Sequence, residues 1–82
     1  MYRVEFSKRA AKDLAGLERA EQSRVLKRLE SAAKDPVRFF LPLKGIDGFR
    51  MRVGDLRVIA HVEPAEQIII VATIGRRENI YK

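Results

Sequence analysis

Apolar residues alternate at the start of this chain, recur at helical spacing through its first half, and alternate again in its second half. Tyr2, Val4 and Phe6 alternate with Arg3 and Glu5, which predicts a short half-buried strand. Ser7 suits a helix N-cap. Ala10, Ala11, Leu14 and Leu17 then form the apolar side of a helix running to about Leu17 or Glu18. A second stripe, Val25, Leu26, Leu29, Ala32 and Ala33, predicts a helix from about Ala20 to Lys34. Asp35-Pro36 ends it, because the residue before proline is pushed out of the helical region. Residues 37–47 read as a connection in which Phe39, Phe40 and Leu41 anchor to the core and Pro42 excludes an interior strand.

Period-two patterning governs the rest. Residues 48–59 read as two strands joined by a Gly54-Asp55 turn, the second strand continuing to about Glu63. Phe49, Met51 and Val53 share one face, and Leu56, Val58, Ala60 and Val62 form the matching set. If those sets align, Arg50, Arg52 and Arg57 share the opposite surface. After an acidic turn at residues 63–66, the last strand runs from Gln67 to Ile74. Its two sets, Ile68/Ile70/Ala72/Ile74 and Ile69/Val71/Thr73, are both largely apolar, so both faces call for cover. The order is strand, helix, helix, then three strands. It predicts a single α+β domain over residues 1–82, in which a helical hairpin packs on one side of a small antiparallel-rich sheet (β-α-α-β-β-β).

Composition narrows the function. The 82 residues carry 17 Lys and Arg against 11 Asp and Glu, a formal charge of +6. That bias favours a polyanionic partner such as nucleic acid, or an acidic protein. Cysteine is absent, which removes disulfides and thiolate chemistry and fits a reducing cytosol. The amino terminus lacks the apolar run of a signal peptide, and Ile68 to Ile74 is too short to span a bilayer. One histidine and scattered carboxylates make no metal shell, and no cofactor fingerprint is present. The basic constellation is Arg50, Arg52, Arg57, Arg76 and Arg77, since guanidinium groups hold phosphates bidentately. His61 shares the strand parity of Arg57 and is a candidate acid or base. Lys27 and Arg28 read as general solvation or RNA-backbone contacts.

Three segments together resemble the RelE/ParE superfamily of toxins from toxin–antitoxin modules: Leu43-Lys44-Gly45, residues 49–59 (FRMRVGDLRVI), and residues 75–81 (GRRENIY). The resemblance spans essentially the whole chain. It implies a small cytoplasmic endoribonuclease that enters the ribosomal A site and cleaves messenger RNA without a metal. In that chemistry an RNA 2′-hydroxyl attacks the adjacent phosphate and leaves a 2′,3′-cyclic phosphate. Carried onto this chain, Arg57 stabilises the phosphate, Arg77 assists the leaving group and Tyr81 stacks on a base. Arg50 and Arg52 occupy the family's basic pair, and Lys44 and Arg76 are further RNA contacts. The best-studied members have lysines where this chain has Arg50 and Arg52. Arginine stays protonated, so it can clamp phosphate but not act as a simple base. Two other readings stand beside this one: a ParE-like inhibitor of DNA gyrase, and a non-catalytic RNA-binding domain. The implied protein partner is a cognate antitoxin whose acidic segment covers Ile69 and Val71 while approaching the arginines.

Overall fold

The turns at residues 54–55 and 64–67 are short, so the strands they join pair as neighbours, whereas the first strand can reach the sheet only after the helices. A computed structural model describes residues 1–45 and 47–76. It contains β1 (Arg3–Phe6), α1 (Lys8–Ala15), α2 (Arg19–Lys34), α3 (Pro36–Phe39), β2 (Leu41–Pro42), β3 (Phe49–Val53), β4 (Leu56–Glu63) and β5 (Ile68–Arg76). The five strands lie in the order β1-β5-β4-β3-β2. β3, β4 and β5 form the antiparallel meander that the pattern predicts. β1 pairs with β5 in parallel, Val4 opposite Ile69 and Phe6 opposite Val71. A parallel neighbour requires a long crossover, which α1 and α2 supply.

The connection after α2 is more ordered than its sequence pattern suggests. Asp35 leaves helical geometry at φ −157°, and Pro36 restarts a single turn, where its missing N–H is harmless. Leu41 and Pro42 then add a two-residue edge strand to β3, a position that tolerates proline. Phe40 is buried, but Leu41 is exposed and anchors nothing in the core.

Helices cover one sheet face only. Ala10, Val25, Leu29 and Ala32 meet Met51, Val53, Leu56, Val58, Ala60, Ile69, Val71 and Ile74 in one core. Burying a side chain of this size contributes about 1.5–3 kcal/mol. This corrects the expectation that a partner covers Ile69 and Val71, because both are fully buried beneath the helices. The physical reason is register. Ile69 pairs with Val62 and Val71 with Ala60, so they join the core set of β4. Pairing then jumps from Ala60↔Val71 to Ile59↔Thr73, leaving Ala72 as the extra residue of a bulge. One extra residue reverses parity, and Ile74 thereby joins Ile69 and Val71 in the core instead of sharing a face with Ile68 and Ile70.

β1 ends opposite Val71, so the β5 edge beyond it would lie open. α1 closes it. Ser7 donates its N–H to Val71 O (2.9 Å) and its hydroxyl to the bulged Ala72 O (2.8 Å). The same hydroxyl oxygen caps the helix by accepting from Ala10 N–H at 3.0 Å. One turn on, Asp13 Oδ2 accepts from Ile74 N–H (3.0 Å) and Thr73 Oγ1 (2.8 Å). Burial pushes the Asp13 carboxyl up, but hydrogen bonds from Ile74, Thr73 and Arg9 together with the Arg9 charge outweigh it and hold the carboxyl below its ordinary value. These hydrogen bonds tie down the edge where it would otherwise template another strand.

Candidate nucleic-acid interface

The β3–β4 hairpin turns on two residues, with Val53 paired to Leu56. Gly54 takes φ +61° at the first central position, where a glycine-specific II′-type turn matches strand twist. This fixes the register: Met51 opposes Val58 in the core, and Arg52 opposes Arg57 on the other face. Directly opposed side chains in an antiparallel pair have Cβ atoms about 4.5–5.5 Å apart, so positive charge is concentrated there. Arg50, opposite Ile59, shares that face. Arg57 is only 5% exposed, and its Nη1 donates to Leu56 O at 3.2 Å. Arg50 is half-buried and Arg52 exposed.

These three arginines line a cleft of about 470 Å³, joined by Arg28 of α2, Arg38 and Phe39 of α3, and Leu41 of β2. The cleft exists because β2 pairs only with Phe49 and Arg50, leaving the rest of β3 without a strand neighbour on that side. Arg28 crosses this open edge, its Nη1 3.5 Å from Arg52 O. A second cleft of about 360 Å³ adjoins the first; it shares Arg28 and Phe39 and adds Arg24, Lys27, Ser31, Val53 and Gly54. Among the described residues, no carboxylate lies within ion-pair distance of Arg24, Lys27, Arg28, Arg38, Arg50 or Arg52.

The other sequence-predicted residues do not converge here. Lys44 sits in the exposed loop between β2 and β3 and lines neither cleft. His61 is exposed on β4 and also stays outside them. Arg76 occupies the helix-side face at the end of β5, opposite Leu56. Its Nη2 donates to Glu21 Oε2 (2.9 Å) and its Nη1 to Asp55 Oδ2 (2.9 Å). The hydrogen bond to Glu21, then the Asp55 and Glu21 charges, raise its pKa further above the ordinary arginine value. Arg77 and Tyr81 lie outside the described residues. Arg38 and Arg24 were not legible as site residues, because a helical turn and a helix face converge on the β3 edge only through tertiary structure. The sole local signal was Arg38 beside Phe39, a cation next to an aromatic ring.

Chemically, the cleft can bind and orient anions. Guanidinium groups hold phosphate oxygens and offset charge that develops on them, but they do not take up a proton near neutral pH. No group of three or more His, Cys, Asp or Glu is gathered among the described residues.

A family model described as the ParE toxin of the type II toxin–antitoxin system, parDE, matches residues 4–81. A RelE1 toxin candidate from Methanocaldococcus jannaschii is 35% identical over 86 residues, covering 99% of this chain and 96% of the relative. A chain of the archaeal RelE–RelB complex from Pyrococcus horikoshii is 30% identical and superposes with a TM-score of 0.78, covering 95% of this chain and 97% of that one. A chain of the RelBE2 toxin–antitoxin complex from Mycobacterium tuberculosis superposes with a TM-score of 0.84 over 93% of this chain and 98% of that one, at 23% identity. At that identity the likeness concerns the fold alone.

Proposed function

The chain belongs to the ParE toxin family of type II toxin–antitoxin systems, on the RelE-like side of the RelE/ParE superfamily, and on that premise we propose that it is a ribosome-dependent endoribonuclease acting on messenger RNA in the ribosomal A site. The observation that carries this reading is the convergence of Arg50, Arg52 and Arg57, with Arg28 and Arg38, on one open cleft.

In the proposed reaction an RNA 2′-hydroxyl gives up its proton as its oxygen attacks the adjacent phosphorus. The bond from phosphorus to the 5′ oxygen breaks, that oxygen gains a proton, and a 2′,3′-cyclic phosphate remains. Arg57 holds the non-bridging oxygens as charge builds on them. Arg50 and Arg52 fix the strand so that the 2′-oxygen is aligned. None of the three is the base, so the message or the ribosomal RNA around it receives the proton. Arg77 is assigned to the leaving group, Tyr81 to base stacking and Lys44 to a peripheral backbone contact. Arg76 is given no RNA role here, because its guanidinium already holds two carboxylates.

The proposed protein partner is a cognate antitoxin with an acidic segment laid over the arginine face, consistent with the Pyrococcus and Mycobacterium chains having been solved as toxin–antitoxin complexes. A ribosome-bound target puts the protein in the cytoplasm; among the described residues no helix is long and apolar enough to cross a membrane. A ParE-like action on DNA gyrase is the second reading, favoured by the description of the matching family model.

The test adds purified protein to ribosomes programmed with a short message and maps the ends. Cuts at the A-site codon ending in cyclic phosphate are the expected outcome. Message left intact by ribosome-bound protein would sink the nuclease reading, and inhibition of gyrase supercoiling in a parallel assay would replace it.

A further inference from the structure

The hairpin cleft is one lobe of a longer basic track. The adjoining lobe on α2 shares Arg28 and Phe39 with it and adds Arg24 and Lys27. Arg24 and Arg28 stand one turn apart on the same side of α2, with Lys27 between them, an arrangement in which like charges repel. Among the described residues no carboxylate relieves that repulsion, although other arginines of the chain, Arg3, Arg9 and Arg76, are all ion-paired. Arg24 reaches over the hairpin turn, its Nη1 3.7 Å from where a Gly54 Cβ would stand, which brings the α2 cations up to the arginine hairpin. Phe39 is half-buried on the step between the lobes and lines both. A positively charged groove with an aromatic ring along it is the general design for holding single-stranded nucleic acid, whose bases stack on any exposed π-face.

We propose that the RNA strand continues from the hairpin cleft across the open edge of β3 into the α2 lobe, where Arg24 and Lys27 hold a further backbone phosphate and Phe39 carries a base at the step. This rests on the proposed RNA-binding role of the hairpin cleft and adds to it a second phosphate subsite and a stacking residue. It gives Arg28 a role as the bridge between subsites and Arg38 a place on the wall of the first.

The test is fluorescence anisotropy without ribosomes, using 2′-O-methyl oligoadenosines of two, four and six nucleotides, which bind but are not cleaved. The native protein gains about tenfold in affinity between the shortest and longest probe. The Arg24→Ala/Lys27→Ala double variant binds the dinucleotide equally well but loses most of that gain. Phe39→Leu, which keeps apolar bulk, weakens the tetranucleotide about threefold, whereas Phe39→Trp restores it. Equal length dependence in the native protein and the double variant would overturn the track, as would retained affinity in Phe39→Leu. If the double variant instead loses only affinity for empty ribosomes, the lobe serves ribosomal RNA and the proposal also falls. Absence of message cleavage leaves these binding readouts intact, so failure of the nuclease reading is separable from failure of the track.

Discussion

Arg57 and Arg76 stand on neighbouring rungs of the β4–β5 ladder, Arg57 opposite Gly75 and Arg76 opposite Leu56, and so project from opposite faces of the sheet. Their surroundings differ sharply. Arg76 is clamped by Glu21 from the start of α2 and by Asp55 from the hairpin turn. Arg57 opens onto a cleft shared with Arg28, Arg38, Arg50 and Arg52. The same residue type on the same sheet therefore sits in two settings: Arg76 joins elements of the fold through two carboxylates, and Arg57 lines a cleft in which four other arginines gather.

The largest predicted effect breaks the cleft side of this comparison. Arg52→Glu lowers affinity for a short RNA by more than tenfold, because it removes a phosphate partner and adds repulsion, while the melting temperature stays level or rises as the Arg52–Arg57 juxtaposition is relieved. A fall in melting temperature with RNA affinity unchanged would mean that Arg52 serves the fold. Arg57 is a poorer first choice, since at 5% exposure its truncation to Ala would also leave a cavity. Arg57→Met keeps the bulk, and loss of cleavage by about 100-fold is expected of it.

The next effect breaks the clamp side. Arg76→Ala strands Glu21, which is 8% exposed, and should lower the melting temperature by about 5 °C with RNA affinity changed less than twofold. The smallest effect concerns Asp13, a carboxylate committed to the sheet edge. Its folded pKa is lowered, so its contribution is complete above the ordinary carboxyl range of about 4 and disappears as pH falls through the lower folded value. Asp13→Asn should therefore melt a few degrees below the native protein at pH 7, and the gap should close on acidification. A gap that stays constant down to pH 2 would contradict the assignment.

Much of this was legible along the chain. Alternation at Phe49, Met51 and Val53 against Leu56, Val58 and Ala60 was enough to place Arg50, Arg52 and Arg57 together. Ser7 and Asp35-Pro36 marked helix limits through local backbone chemistry. The Ala72 bulge was not legible: in a strand apolar at nearly every position, inserting one residue leaves no break in the pattern. Nor was the fate of Arg76, whose carboxylate partner Glu21 lies 55 residues away. A run of basic residues looks alike in sequence whichever face each occupies, and only the packing of α2 and α3 against β3 sorts the ion-paired from the open ones. Arg77 and Tyr81 rest on the family resemblance alone.

The most direct test of that division is the salt dependence of RNA binding. The slope of log affinity against log salt, measured with a six-nucleotide RNA, counts phosphate contacts at about 0.7 per contact on a single strand. For Arg52→Gln the slope should flatten by about that amount relative to the native protein, and for Arg76→Gln it should not change. The opposite pattern, Arg76 carrying a phosphate contact and Arg52 none, would contradict the account.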